Sequence, residues 1–258
     1  ENPHATRSAH AGVAQNVMYE KICAAHARWS KGRVALISTG AMTNVALLFK
    51  LYPDVVDKVE LVFMGGSIGV GNTHPVAEFN IQIDPEAAHI VLQHGAVPEP
   101  ERTLAPRTLP ITMVPLEVTH TALATEEVMV RIRSPTPSRF REVVGELLLF
   151  FQGTYAKVFG FKSPPLHDPC AVAYVVDPQL FHTHAMRVDV EIKSSLCAGQ
   201  TVCDVWNASP LPANVNVATK MNVSTFWDVM VDTLAIADQQ SPLNTVFAGV
   251  GVSTSIDT

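Results

Sequence analysis

Three short stretches of this sequence carry residue types that could do chemistry. In residues 71–89, GNTHPVAEFNIQIDPEAAH, Asn72, Glu78 and Asn80 fall within nine positions. A carboxylate accepts hydrogen bonds and an amide both donates and accepts, so the set can hold a cis-diol and reads as a sugar-binding inventory. The same groups in a polar loop would also serve as local side-chain caps, and spacing by itself does not separate the two. Leu166-His167-Asp168-Pro169-Cys170 sets a carboxylate beside an imidazole, a group that titrates near neutrality. Asp168 could equally cap a helix beginning there, with His167 an incidental surface residue. Ser38-Thr39-Gly40-Ala41-Met42-Thr43-Asn44 reads as a turn on Gly40, with Thr43 or Asn44 capping the next helix.

Each stretch adjoins an element that must position it. Residues 33–38 (RVALIS) and 59–64 (VELVFM) are short apolar runs that predict buried strands, and the second ends in Gly65-Gly66. Strand ends of this kind are where open α/β sheets place ligands. Val45, Leu47, Leu48 and Leu51 recur at helical spacing after Thr43, and Pro53 predicts a break. Asp84-Pro85-Glu86 predicts an N-cap followed by proline in the first turn, opening a helix to about Gln93. Helices are further predicted over 13–29, through most of 119–161 and over 226–238, and a third strand over 111–114. Residues 187–192, 201–205 and 215–217 alternate as a small antiparallel sheet would. Residues 96–110 are proline-rich without apolar period and predict a surface insertion. This alternation of helices and strands implies an α/β fold with a mainly parallel open sheet and helices on both faces.

Composition bounds the partners. A chain of 258 residues, 47% hydrophobic and 16% charged, has ample core for a single domain over 1–258. The formal net charge of −6, with no dense basic patch, argues against nucleic acid or anionic membrane and for a small neutral ligand. Cys23, Cys170, Cys197 and Cys203 have no metal-ligand spacing and no signal peptide is legible, so a cytoplasmic setting is expected. The longest apolar run, 143–151, is interrupted by Glu146 and falls short of the ~20 residues that span a bilayer. The sequons at Asn207 and Asn222 read as chance matches without a secretory signal.

Taken in order, STGAMTN, FMGG, GN followed by VAEFNIQIDPEAAHIV, PLEVTHTALAT and LHDPCAVAYVVDP resemble the inosine-uridine-preferring nucleoside hydrolases over about residues 15–204. The resemblance implies a calcium-dependent enzyme that hydrolyses the N-glycosidic bond of ribonucleosides to ribose and free base, in nucleoside salvage, with homo-oligomers common. It further implies that Asn72, Glu78 and Asn80 bind the ribose hydroxyls and that Met64 lines the sugar pocket. Asp168 and the carbonyl of Thr39 would be calcium ligands, and His167 the acid on the leaving-base side. The chemistry is coherent: a ribosyl cation is stabilised by polar groups around the sugar, and the departing base by a proton donor.

One departure from the pattern matters. The family's aspartate cluster, DTDPGxDD, does not occur in this sequence, and Thr39 and Asp168 by themselves fall short of the six to eight oxygens calcium usually takes. The expectation is therefore of an amino-terminally truncated chain, lacking the family's first strands and prone to oligomerise or aggregate through an uncovered sheet edge. The alternative to a hydrolase is an inactive relative, or a riboside-binding pseudoenzyme without a complete metal site.

Overall fold

The computed structural model describes residues 12–29, 32–96, 108–134 and 136–244. The strands are β1 (Val34–Ser38), β2 (Val59–Met64), β3 (Ile111–Val114), β4 (Phe181–Met186), β5 (Val188–Val190), β6 (Thr201–Cys203) and β7 (Val215–Met221). The α-helices are α1 (Ala14–Arg28), α2 (Thr43–Leu51), α3 (Phe79–Gln82), α4 (Pro85–Leu92), α5 (Leu116–Thr119), α6 (Glu126–Arg133), α7 (Arg139–Phe159), α8 (Asp168–Val176) and α9 (Val223–Gln240). They form two compact units, Glu1–Thr119 with His167–Met221 and His120–Leu166 with Asn222–Thr258. None of these helices is long and apolar enough to cross a membrane.

The first unit is built on a five-stranded sheet in the order β1-β2-β3-β7-β4, parallel except for β4. β3 is buried along its whole length and β2 everywhere but Glu60, as strands covered on both faces must be. Val59, Leu61, Phe63, Ile111, Met113, Val215 and Val217 share one apolar core with Val45, Leu48 and Phe49 of α2 and Val91 of α4. On the opposite face Val62, Thr112 and Asn216 meet Tyr174 and Val175 of α8 around a cavity of about 230 Å³. The α/β sheet with helices on both faces is thus present, and β5 and β6 pair as a separate antiparallel ribbon.

The expected antiparallel sheet needs one correction. Residues 215–217 do not join β5 and β6; they begin β7, which lies parallel beside β3 and antiparallel to β4. Val215, Val217 and Ala218 are all fully buried, which marks an inner strand rather than a half-exposed ribbon. β4 itself was not anticipated. Its interior (His182 to Ala185) is exposed, and its register shifts between His182 and Thr183, so no apolar alternation announces it. The break at Pro53 is a short 3₁₀ turn, Pro53–Asp57. Of the proline-rich segment, residues 97–107 lie outside the described residues, while its ends meet: Leu109 N–H donates to His94 O and Ala96 N–H to Leu109 O.

The second unit contains α6, α7 and α9, fastened by one polar network. Arg141 of α7, 6% exposed, donates from Nε to Asp238 Oδ2 of α9 at 2.6 Å. Its Nη1 donates to the carbonyls of Ile132 and Ser134, both at 2.7 Å. Ser138 and Asn244 also donate to the Asp238 carboxylate. Burial would raise that carboxyl, but these hydrogen bonds and the Arg141 charge outweigh it and hold it below the usual range. A depressed carboxylate contributes stability above its unfolded pKa of about 4, and loses it as pH falls below that. Arg141→Ala leaves the half-buried Asp238 carboxylate and two carbonyls without their donor and is expected to cost about 1–3 kcal/mol in urea unfolding of the full-length protein. A loss below about 1 kcal/mol would show that water replaces the guanidinium without penalty.

Candidate active site

The residues singled out in the sequence gather where the parallel strands end. β1 and β2 run side by side with Ser38 paired to Phe63, so Thr39, just past β1, lies level with Met64, the last residue of β2. Beyond β2, Gly65 and Gly66 make a turn in which Gly66 has φ +72, a left-handed conformation that favours glycine. Gly66 N–H donates to Glu78 Oε2 at 2.9 Å. The same oxygen accepts from Asn80 N–H at 2.9 Å and Ile81 N–H at 3.3 Å, capping α3.

Asn80 Nδ2 donates to Met64 O at 3.1 Å and lies 3.4 Å from its sulfur. Asn72 Oδ1 accepts from Phe79 N–H at 3.0 Å. Local capping is thus a real role of Glu78 and Asn72, whereas Asn80 binds a strand-end carbonyl, and none of the three is exhausted by these bonds. Among the described residues Glu78 Oε1, Asn72 Nδ2 and Asn80 Oδ1 carry no hydrogen bond, which leaves one donor and two acceptors. Glu78 is 2% exposed, and burial raises its carboxyl despite the three backbone donors; the nearby Asp168 charge adds to the rise.

α8 brings a second carboxylate within reach of Glu78. It opens with His167 as N-cap, without a side-chain capping bond, and with Asp168 in its first turn. Asp168 is thus not spent as a cap, which answers the capping alternative, and its negative charge suits a helix N-terminus. Partial enclosure raises its carboxyl. His167 Nδ1 lies 2.8 Å from Oγ1 of Thr119, a fully buried residue at the end of α5. Thr119 fixes the imidazole, and nothing in its residue type announced this, since α5 follows β3 by chain path only.

The third stretch is corrected. α2 is preceded by Met42 without a side-chain cap. Thr43 Oγ1 donates to Asp84 Oδ2, and Asn44 Oδ1 accepts from Gln15 Nε2 at 2.8 Å. Both lie inside the first turn and so reach other elements instead of their own amides. Gly40 is not among the glycines with positive φ, so the turn there does not require it.

Among the described residues no group of three His, Cys, Asp or Glu could hold a metal ion, and the two oxygens expected of Asp168 and Thr39 do not by themselves fit calcium's usual six to eight.

A family model described as inosine-uridine preferring nucleoside hydrolase matches residues 1–228. The chain belongs to this family. A probable ribonucleoside hydrolase from Dictyostelium discoideum is 42% identical over 224 residues, 84% of this chain and 62% of the relative. A pyrimidine-specific ribonucleoside hydrolase from Shewanella oneidensis is 40% identical, over 86% of this chain and 66% of its own length. The chain therefore spans under two thirds of these curated relatives. A solved purine-preferring ribonucleoside hydrolase from Gardnerella vaginalis shares the fold, with TM-score 0.76 at 24% identity over 92% of this chain and 69% of that one.

Proposed function

We propose that this nucleoside hydrolase chain grips the ribose of purine and pyrimidine ribonucleosides in an enzyme that cleaves their N-glycosidic bond to ribose and free base. The observation that carries the reading is the set of unspent polar atoms, Glu78 Oε1, Asn72 Nδ2 and Asn80 Oδ1, on residues whose other atoms are fixed by the backbone. Preorganised dipoles of this kind stabilise charge without having to reorient, and an anionic Glu78 beside a sugar ring opposes the positive charge that develops as the bond breaks. Met64, held by Asn80, lines the sugar pocket. The leaving base departs more easily when protonated, and His167, oriented through Thr119, is the acid in this reading.

Thr39 and Asp168 would contribute two oxygens toward a calcium ion, and about four more would be needed from elsewhere; such an ion would supply Lewis-acid chemistry. Salvage of nucleosides in the cytoplasm, by a homo-oligomer, is the setting that fits this chemistry.

The direct test is ribose release from inosine and uridine by the full-length protein, with and without calcium, beside a calorimetric titration of the ion. Calcium-dependent release is the expected result; ribose binding without release would leave a riboside-binding protein instead. For the acid, His167→Asn is expected to lower kcat on inosine about 10²-fold, while a riboside whose leaving group departs as a stable anion is nearly spared. Equal losses on both substrates would remove His167 from that role.

A further inference from the structure

The turn that carries Gly66 is held from a distant part of the chain. Thr201 of β6, 2% exposed, accepts from Ser67 N–H at 2.9 Å through Oγ1 and donates from the same hydroxyl to Ser67 O at 2.6 Å. One hydroxyl thereby satisfies both backbone groups of a residue 134 positions away, which is itself buried. The contact is close: a Cβ on Gly66 would lie 2.9 Å from Thr201 Cγ2 and 3.1 Å from its Oγ1. The far side of the turn is tied as well, since Glu117 Oε1 accepts from Ile68 and Gly69 N–H, both at 2.9 Å. Immediately before these ties lies Gly66, whose amide donates to the Glu78 carboxylate.

We propose that Thr201 is a positioning residue for the sugar site, acting through the Gly66–Ser67 turn to set the Glu78 carboxylate. The proposal rests on the reading of Glu78 as a ribose ligand. Ser67 adjoins Gly66, so a change at the Thr201 hydroxyl turns the Gly66 amide, and with it one of the three donors that aim Glu78 Oε2. A carboxylate held by fewer donors places its free oxygen less accurately, which weakens its hold on the sugar in the ground state and the transition state alike.

The experiment compares Thr201→Val, which keeps shape but loses the hydroxyl, Thr201→Ala, which introduces no new group, and Thr201→Ser, which restores the hydroxyl. All are made in the full-length protein. Amide exchange at Gly66 and Ser67 reads the hold on the turn whether or not substrate turns over, and steady-state kinetics on inosine and uridine read the coupling. The expected result is faster exchange at both amides and a KM raised about tenfold in Val and Ala, with Ser near wild type. A purely structural role would reduce the active fraction, lowering apparent kcat and leaving KM unchanged; that outcome overturns the proposal. Unaltered exchange overturns it too. A wild type that releases no ribose brings down the reading of Glu78 and this inference together, whereas an active wild type with unchanged variants brings down this inference alone.

Discussion

Glu78→Gln is expected to leave the fold nearly intact and to lower kcat/KM for ribonucleosides by about 10²–10³-fold. A glutamine can turn its amide oxygen toward the three backbone donors that now meet Oε2, so the cap of α3 and the tie to Gly66 survive. The negative charge beside the sugar does not survive. Glu78→Ala removes both, leaves those donors without a partner, and should cost a further 1–3 kcal/mol or so of stability. Urea unfolding separates the two variants, and kinetics on inosine and uridine measure what they share. A Gln variant with wild-type kcat/KM would mean that the charge has no part in catalysis.

The same residue sets an expected pH dependence. Burial, reinforced by Asp168, raises the Glu78 carboxyl, so the ionised form that the reaction needs is lost at a higher pH than for an ordinary glutamate. The acid limb of kcat/KM should therefore lie above the usual carboxylate range. Stability runs the opposite way for this group: the folded protein holds the proton more tightly than the unfolded chain, so its contribution grows as pH falls toward that limb.

Gly71→Ala should be nearly as damaging for a different reason. A Cβ there would lie 2.1 Å from His74 O, 2.2 Å from Ala77 O and 2.4 Å from Ala77 N, all backbone atoms that cannot rotate aside. Gly71 N–H donates to Pro75 O and Asn72 N–H to Ala77 O, so the loop is closed on itself at this point. Opening it displaces Asn72, the residue that holds Phe79 N–H. The expected loss is about 10²-fold in kcat/KM, with a fall in Tm as well because the loop closes on the fully buried Ala77. Near-wild-type kinetics would show that Asn72 is not needed where it stands.

Much of the scaffold was legible because its signals are local. β2 and β3 are short, mainly apolar runs, and Asp84-Pro85 opens α4 with the Asp84 side chain accepting from Ala87 N–H. The candidate residues Asn72, Glu78, Asn80, His167 and Asp168 were visible too, as polar groups beside strand or helix ends. What stayed hidden depends on neighbours remote in sequence. β4 has an exposed interior and a register shift, so only its pairing with β7 makes it a strand. Thr43 and Asn44 look like caps until Asp84 and Gln15 are brought to them.

By itself, then, the sequence determined the α/β class, the central strands and the polar residues of the candidate site, because apolar periodicity and capping chemistry act over a few residues. Only the tertiary structure decided which atoms of Asn72, Glu78 and Asn80 are spent on the backbone, that Thr119 orients His167, and that Thr201 holds the turn at Gly66. The last two outcomes depend on hydrogen bonds between segments 48 and 134 residues apart, and buried polar groups find such partners only once the sheet has brought the segments together.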